Sequence, residues 1–323
     1  MRLIYTTSPH LRGKDTTTKI MLDVIIALLP ALIVGVINQG PRVLMVVLVS
    51  VLTAVATEGL YRLLTKQYFT LNDLSAVVTG LLLALTLPAT IPYYVVALGA
   101  CFALLFVKAC CGGLGENIFN PALSARALIM LIFPVYITRC ASYGFYAPII
   151  NGVDIVSSAT PLHNMVMPAL PSISLKNMFL GTYGGAIGET SALALLIGFA
   201  YLLVKRVITY IIPVSYIGSV ALITFVFHKT DSAIMWMMYQ VLSGGLLLGA
   251  IFMATDYVTS PTTAWGQALY GIGCGILTVI FRYTGIFPEG VTYSILIMNA
   301  LVWTLERYTR PRIYGNKRGG LLK

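Results

Sequence analysis

Ten runs of apolar residues, each 15 to 23 residues long, most constrain what this chain can fold into. A helix that crosses a membrane needs about 20 such residues. Only 10% of the 323 residues are charged, 58% are hydrophobic, and the mean hydropathy is +0.87, whereas a soluble domain carries about 25% charged residues. The sequence therefore predicts an all-α polytopic membrane protein of about ten transmembrane helices. The predicted spans are 20–38, 41–63, 73–88, 92–110, 119–138, 190–204, 207–227, 237–254, 264–281 and 290–306.

The positions of lysine and arginine indicate how these spans are oriented. With the N-terminus in the cytoplasm, fifteen of the 21 basic residues fall on the cytoplasmic side and five on the outer side, while Arg126 lies inside a span. Basic residues are enriched in cytoplasmic loops, so we expect both termini in the cytoplasm and the chain in the inner (plasma) membrane. No cleavable signal peptide is predicted. The net charge of +10 thus follows from membrane topology and does not indicate nucleic-acid binding.

An internal similarity indicates that the chain consists of two halves. Residues Thr79–Thr90 and Gly244–Thr255 are identical at six of twelve positions, at an offset of 165 residues. Five spans per half is an odd number, so the predicted architecture is two inverted five-helix repeats, although chance similarity between two Leu-rich helices would give the same match. The predicted regions are 1–19, a cytoplasmic segment; 20–138, the first half; 139–189, an extracytoplasmic loop; 190–306, the second half; and 307–323, a basic cytoplasmic tail.

The long outer loop contains the most specific motif in the chain, and loops of about fifty residues are usually functional. Asp154 is followed by Ser157, Ser158, Ala159 and Thr160. These residues resemble the flavinylation signal D-x-x-S-G-A-T, in which the threonine hydroxyl forms a phosphoester with flavin mononucleotide (FMN). Ser158 stands where the signal has glycine. The alternative reading is an Asx-turn before a proline.

Together with this motif, several other segments resemble one family almost from end to end. It is the family of the D subunit of the Rnf ion-translocating ferredoxin:NAD oxidoreductase and the B subunit of the sodium-translocating NADH:quinone reductase (the NqrB/RnfD family). The short N-terminal segment favours the Rnf protein over its quinone reductase counterpart. The segments that carry the resemblance are Ser8–His10, Gly112–Ala122, the motif ending at Thr160, Gly188–Ser191 and Ala254–Pro261.

The resemblance implies that Thr160 carries FMN covalently, attached by a separate flavin transferase. It also implies an electron-transfer subunit in a complex that couples electron transfer between ferredoxin and NAD to Na⁺ or H⁺ movement. The expected partners are the other Rnf subunits, including a second FMN-carrying subunit and cluster-bearing subunits, together with membrane lipid. The flavin would supply the redox chemistry, and the protein its position and electrostatic environment.

A glycine-rich segment opens the sixth span on the same outer face and contributes further candidate site residues. Gly185, Gly188, Glu189 and Thr190 are predicted to lie beside the attached FMN, because glycines before a helix leave exposed N–H groups that suit an anion. Capping of the helix by Thr190 or Ser191 explains the same residues without a ligand.

Two polar breaks next to apolar helices, Asn117–Ala122 and Asp256–Pro261, fall on the cytoplasmic side of the predicted topology. Backbone freed at such breaks needs partners or lines a cavity. The resemblance allows a second, noncovalent flavin such as riboflavin, and these breaks are where we expect it. Re-entrant turns stabilised by the Asn and Asp side chains are the alternative.

The sequence predicts no catalytic residue and no metal site. The five cysteines show no CxxC pair or cluster spacing, and no G-x-G-x-x-G follows a strand, so the chain alone is not expected to turn over NAD. A solute transporter or channel on an inverted-repeat scaffold, a scaffold subunit without flavin, and the quinone reductase subunit remain alternatives.

Overall fold

The computed structural model is almost entirely helical over the residues that it describes. Its two strands form one short antiparallel ladder, in which Cys140 pairs with Ser158 and Ala141 with Ser157. Apart from this ladder, the predicted all-helical architecture is confirmed for the described residues. The described residues are 16–66, 71–113, 115–138, 140–141, 157–158, 173–285 and 290–310.

The helices are numbered in chain order along these ranges. Two of them continue into π-helical turns: α4 into Ala103–Ala109, and α11 into Gly249–Met253. A 3₁₀ turn, Leu71–Asp73, precedes α3. The helices are α1 Thr17–Gln39, α2 Arg42–Leu64, α3 Ser75–Leu85, α4 Tyr93–Phe102, α5 Pro121–Ile132, α6 Pro134–Thr138, α7 Leu175–Leu180, α8 Ala192–Val204, α9 Ile211–Val226, α10 Ala233–Leu242, α11 Leu246–Leu248, α12 Ala264–Thr284 and α13 Val291–Thr309.

Hydroxyl and amide side chains set where several of these helices begin. Thr16, Ser191, Ser232 and Thr263 each precede a helix and accept a hydrogen bond from a backbone N–H in its first turn. Asn120 does the same for α5 and is followed by proline, whose missing N–H costs nothing at a first helical position. The polar residues between apolar runs therefore fix the helix starts.

Three described helices, α1, α2 and α12, are long and apolar enough to cross a membrane, and α10 with α11 and its π-helical turn forms a fourth candidate bent by 62°. The predicted count of about ten spans is not confirmed by these lengths. The predicted span 73–88 contains a helix of only 11 residues, about 16 Å at 1.5 Å per residue. Its helix ends at Leu85, three residues before the predicted end of the span, and the chain turns through Thr86–Ile91.

Large apolar side chains line both the interior and much of the outside of the bundle. Leu28, Leu83 and Leu104 are completely or almost completely buried, whereas Leu131 and Val204 are 74% and 83% exposed. In the interior α1 packs against α8, α9 against α12, and α5 against α13. An apolar exterior around an apolar core is what lipid-facing helices require.

Contacts between helix termini define two ends of the bundle. At what we call the proximal end, α1 begins beside the segment before α3, where Thr18 Oγ1 donates to Asn72 O over 3.0 Å. At the distal end, α1 stops against the segment before α8, where Asn38 Nδ2 donates to Gly181 O over 2.7 Å. Because only Gly40 and Pro41 link α1 to α2, α2 runs back from the distal end to the proximal end.

Candidate functional site

The covalent attachment motif is only partly covered by the described residues. Asp154, Ala159 and Thr160 lie outside them. Ser157 and Ser158 form the second strand of the short ladder, which fixes their backbone in an extended conformation against Cys140 and Ala141. Attachment at Thr160 therefore stays a prediction.

The glycine-rich segment before α8 lies against the end of α3. Ile187 N donates to Leu87 O over 3.0 Å, and Gly188 N donates to Leu85 O over 2.7 Å. A Cβ on Gly188 would lie 2.7 Å from Leu85 Cβ, so glycine is needed there for close packing. A Cβ on Gly185 would meet its nearest neighbour at 3.4 Å, an ordinary contact. These contacts join the loop to the first half, and whether FMN lies beside them stays a prediction.

Glu189 and Thr190 are both buried at this junction. Glu189 Oε1 accepts a hydrogen bond from Arg126 Nη1 at 2.7 Å, and the two side chains are 4% and 5% exposed. Arg126 belongs to α5, so a buried ion pair joins the first half to the segment that leads into the second. A Cβ on Gly245, at the start of α11, would clash with Glu189 Oε1, so glycine is needed beside the ion pair. Thr190 is 1% exposed, and the cap of α8 is Ser191, whose hydroxyl accepts from Ala194 N.

A cavity of about 310 Å³ opens at the proximal end, between α1, α3, α8 and the segment after the second π-helical turn. Its volume lies at the lower end of the range for small-molecule sites, which are mostly apolar with a few placed polar groups. The polar lining residues are Thr17, Ser75, Thr79, Lys108, Asn117, Asn120, Thr255 and Asp256. The apolar lining residues are Ile20, Met21, Val24, Val78, Leu82, Pro121, Ala122, Leu202, Val207, Ile208, Phe252, Tyr257 and Val258.

The two polar breaks that the sequence singled out meet at this cavity. Asn120 Nδ2 donates to Met253 O over 3.2 Å, which joins the first break to the turn before the second. With its amide oriented to satisfy its neighbours, Asn299 donates to Thr259 O and accepts from Asn120 N, each over 3.2 Å. The internal repeat does not relate these breaks, so their proximity could not be read from the 165-residue offset.

Asp256 is the carboxylate on the cavity wall. Burial raises the pKa of its carboxyl, and hydrogen bonds from the Val258 N–H and the Thr259 hydroxyl act in the opposite direction. Asp256 follows the end of the bent span at Met253 and lies beyond the apolar helices. It gives this wall an acceptor that burial biases toward its neutral, proton-bearing form.

A buried ionic cluster adjoins the cavity, whose wall includes Lys108 and Ser75. Lys108 Nζ donates to Glu58 Oε1 at 3.0 Å, to Glu58 Oε2 at 2.9 Å and to Ser75 Oγ at 2.6 Å. Arg62 Nη2 donates to Glu58 Oε1 at 2.9 Å. The sequence did not indicate that Glu58 and Lys108 pair, because the two residues are 50 positions apart on different predicted spans. The available sign of such a pair was that an acidic and a basic residue both lie inside apolar runs.

Two further buried arginines bind backbone carbonyls at the distal end. Arg42 Nε donates to Ala89 O over 2.7 Å, where the chain turns after α3. Arg282 Nη1 donates to Gln240 O over 2.6 Å, and its Nη2 to Ser243 O over 3.0 Å, where α10 stops before α11. Carbonyls at a break inside a membrane need such donors, so these arginines stabilise the interrupted helices.

Comparison with known proteins gives similarity over almost the whole chain. Residues 4–315 match the model of the family described as NQR2, RnfD, RnfE. The D subunit of the Na⁺-translocating ferredoxin:NAD⁺ oxidoreductase complex of Acetobacterium woodii is 44% identical over 318 residues, which cover 98% of this chain and 96% of that protein.

Two other relatives match over a similar extent. The D subunit of the proton-translocating ferredoxin:NAD⁺ oxidoreductase complex of Clostridium ljungdahlii is 40% identical over 321 residues, covering 96% of each chain. The D subunit of the ion-translocating oxidoreductase complex of Stutzerimonas stutzeri is 36% identical over 335 residues, covering 95% of this chain and 94% of that protein.

Proposed function

Because the chain belongs to the NQR2, RnfD, RnfE family, we propose that it is the D-type electron-transfer subunit of an ion-translocating ferredoxin:NAD oxidoreductase complex. The observation that carries the proposal is the end-to-end similarity to the D subunits of such complexes, at 44% and 40% identity. The names of these two relatives assign Na⁺ to one complex and protons to the other, so the coupling ion of this chain is Na⁺ or H⁺.

The first cofactor of the proposal is FMN bound covalently through its phosphate to Thr160. Asp154, Ser157, Ala159 and Thr160 supply the fixed positions of the attachment signal. Ser158, which replaces the usual glycine, lies in a short extended strand, a conformation that any residue can adopt. A flavin transferase would make the phosphoester, and the tether would hold an electron carrier near the next subunit of the complex.

A noncovalent flavin such as riboflavin is the proposed occupant of the proximal cavity. The apolar walls suit a planar aromatic ring, and Asn117, Asn120 and Asp256 offer hydrogen-bonding groups at one side. Lys108 adds a cation whose charge is partly balanced by Glu58. The residues present therefore fit a flavin, which when bound would accept and pass on electrons.

The transmembrane arrangement that we propose has about ten spans in two inverted five-helix repeats. Equivalent elements would be α1 and α8, α2 and α9, α3 and α11, α4 and α12, and α5 and α13. The contacts α2–α4 and α4–α5 recur as α9–α12 and α12–α13, and the equivalent pairs α1–α8 and α5–α13 contact each other, as elements beside a two-fold axis do. Lys108 donates to Ser75, and Arg282 donates to Gln240, which is related to Ser75 by the 165-residue offset.

The proximal end is proposed to face the cytoplasm. Among the described residues, Trp265, Trp303 and Tyr308 are 70–83% exposed at helix ends on this side, and aromatic side chains of this kind favour the membrane–water interface. The described basic residues at the proximal end are Lys19, Arg62, Lys66, Lys108, Lys205, Arg206, Arg307 and Arg310, and those at the distal end are Arg42, Lys176, Lys229 and Arg282.

The test is in-gel flavin fluorescence of the denatured chain, expressed together with the transferase. We expect a fluorescent band from the wild type and from Thr182→Val, a control that removes another hydroxyl on the distal side, and a dark band from Thr160→Val. A dark wild-type band would overturn covalent attachment and favour the alternative functions, a transporter or a scaffold subunit without flavin. Activity with ferredoxin and NAD, or with a quinone, in the assembled complex separates the two kinds of oxidoreductase complex.

A further inference from the structure

A hydrogen-bonded chain leads from the proximal surface to the cavity. Asp73, in the 3₁₀ turn before α3, is partly exposed. Its Oδ1 accepts a hydrogen bond from Ser75 Oγ at 2.7 Å. Ser75 Oγ accepts in turn from Lys108 Nζ at 2.6 Å. Ser75 and Lys108 both line the cavity, so three side chains connect water to its interior without a gap longer than a hydrogen bond.

The backbone holds Asp73, the outermost residue of this hydrogen-bonded series, in place. Leu74 lies between Asp73 and Ser75 with a φ of 60°, in the left-handed region that is costly for a leucine. The strained turn folds Asp73 back over the start of α3, where Oδ1 also accepts from Ser75 N at 2.9 Å. Such strain persists where the surrounding structure over-determines it, often at functional sites.

The charges around Lys108 are arranged so that Glu58 has two cationic partners. Glu58 bonds to Lys108 and also to Arg62, whose guanidinium is 2.9 Å from Glu58 Oε1. When Lys108 becomes neutral, Glu58 keeps one cationic partner, so no buried carboxylate is left without a counter-charge. The other charged residue that lines the cavity is Asp256, and Asp73 lies beyond Ser75.

We propose that Asp73, Ser75 and Lys108 form a proton relay that supplies the redox ligand of the proximal cavity. This inference rests on the proposed noncovalent flavin. Two electrons come from outside the relay, from an iron–sulfur donor of the complex. An N–H bond of Lys108 breaks and its proton bonds to a ring nitrogen of the reduced ligand. Lys108 then takes a proton from the Ser75 hydroxyl. Ser75 in turn takes a proton from the Asp73 carboxyl, which had received it from water. One proton enters for each two electrons.

The alternative is a purely structural role for the same contacts, in which Asp73 caps α3 and Lys108 neutralises Glu58. Two variants separate the readings. Ser75→Ala breaks the relay but leaves both bonds between Lys108 and Glu58. Asp73→Asn keeps an acceptor for the helix start but cannot carry a proton. Ser50→Ala is the matched control, because its hydroxyl is equally buried and donates to Gly80 O over 2.7 Å, away from the cavity.

The experiment measures proton uptake and electron uptake together in the full-length, detergent-solubilised protein. All variants carry Thr160→Val, so that covalent flavin does not contribute. Noncovalent flavin is first quantified after acid extraction. Stopped-flow mixing with reduced methyl viologen, which donates one electron and releases no proton, is followed by flavin absorbance and by a pH indicator in weak buffer.

In the parent protein, which carries only Thr160→Val, and in Ser50→Ala we expect proton uptake in the same kinetic phase as reduction of the flavin ring. The rate of this phase should fall in D₂O. In Ser75→Ala and Asp73→Asn we expect proton uptake at least about a hundredfold slower, the lower end of the range that a positioned acid or base contributes. Rates equal to those of Ser50→Ala in both variants, with flavin content intact, would overturn the relay alone. Absence of extractable flavin from the parent would overturn the cavity occupant and the relay with it.

Discussion

The buried pair between Arg126 and Glu189 should contribute strongly to the stability of the folded chain. The two side chains are about 5% exposed or less and meet at 2.7 Å. Removing one partner of a buried ion pair costs about 3–5 kcal/mol, because the other charge stays in a low-dielectric interior, whereas replacing both by neutral groups of similar size is often close to neutral. We therefore expect Arg126→Met and Glu189→Gln each to lower the free energy of unfolding by about 3 kcal/mol or more.

The double variant is the decisive one. Arg126→Met with Glu189→Gln should be considerably more stable than the sum of the two single losses predicts, with a coupling energy of about 3 kcal/mol. Unfolding can be followed by titration with sodium dodecyl sulfate in mixed micelles, through the fluorescence of the fully buried Trp236. Lys205→Met, an exposed cation, is the control and should change stability by less than about 0.5 kcal/mol. Losses that simply add in the double variant would refute the reasoning.

Two further predictions concern close packing and orientation. Gly188→Ala should lower the free energy of unfolding by about 1–3 kcal/mol, because its Cβ would lie 2.7 Å from Leu85 Cβ. Gly185→Ala, with 3.4 Å available, should cost much less, and equal losses would contradict the packing explanation. The exposed Cys110 at the proximal end should react with a membrane-impermeant maleimide in inverted vesicles but not in intact cells, while the buried Cys274 should react in neither. Labelling of Cys110 from outside the cell would reverse the proposed orientation.

The sequence predicted the long helices well because a single physical signal determines them. The runs 20–38, 41–63, 264–281 and 290–306 correspond to α1, α2, α12 and α13 within a few residues. In each, only a few polar residues interrupt the apolar ones, so the apolar run and the helix have nearly the same extent.

The contacts that stabilise the helix breaks were not predicted, because the partners are distant in sequence. The turn after α3, which falls at the predicted boundary between the spans 73–88 and 92–110, is stabilised by Arg42, 47 residues earlier. The bend before α11, inside the predicted span 237–254, is held by Arg282, 42 residues after Gln240. Local composition gives no sign of either contact, so this second break was missed.

The same distinction applies to the candidate site. The two polar breaks were identified from residue type alone, and the structure brings them together at one cavity. The charges of Glu58 and Lys108 were visible in the sequence, but their pairing depends on how α2 packs against the π-helical turn. The sequence showed which residues carry charge or break the apolar runs, and only tertiary packing showed which of them contact each other.

The π-helical turn Ala103–Ala109 separates the position of Lys108 from the exact length of the chain. Such a turn holds one residue more than an α-helix of the same rise. Loss of the extra residue would restore a regular α-helix and leave the segment beyond it in nearly the same orientation relative to α4. Lys108 would then still reach Glu58 and the cavity. Two homologous chains that differ by one residue in this turn can therefore both place a lysine at this wall, and their alignment needs a gap there.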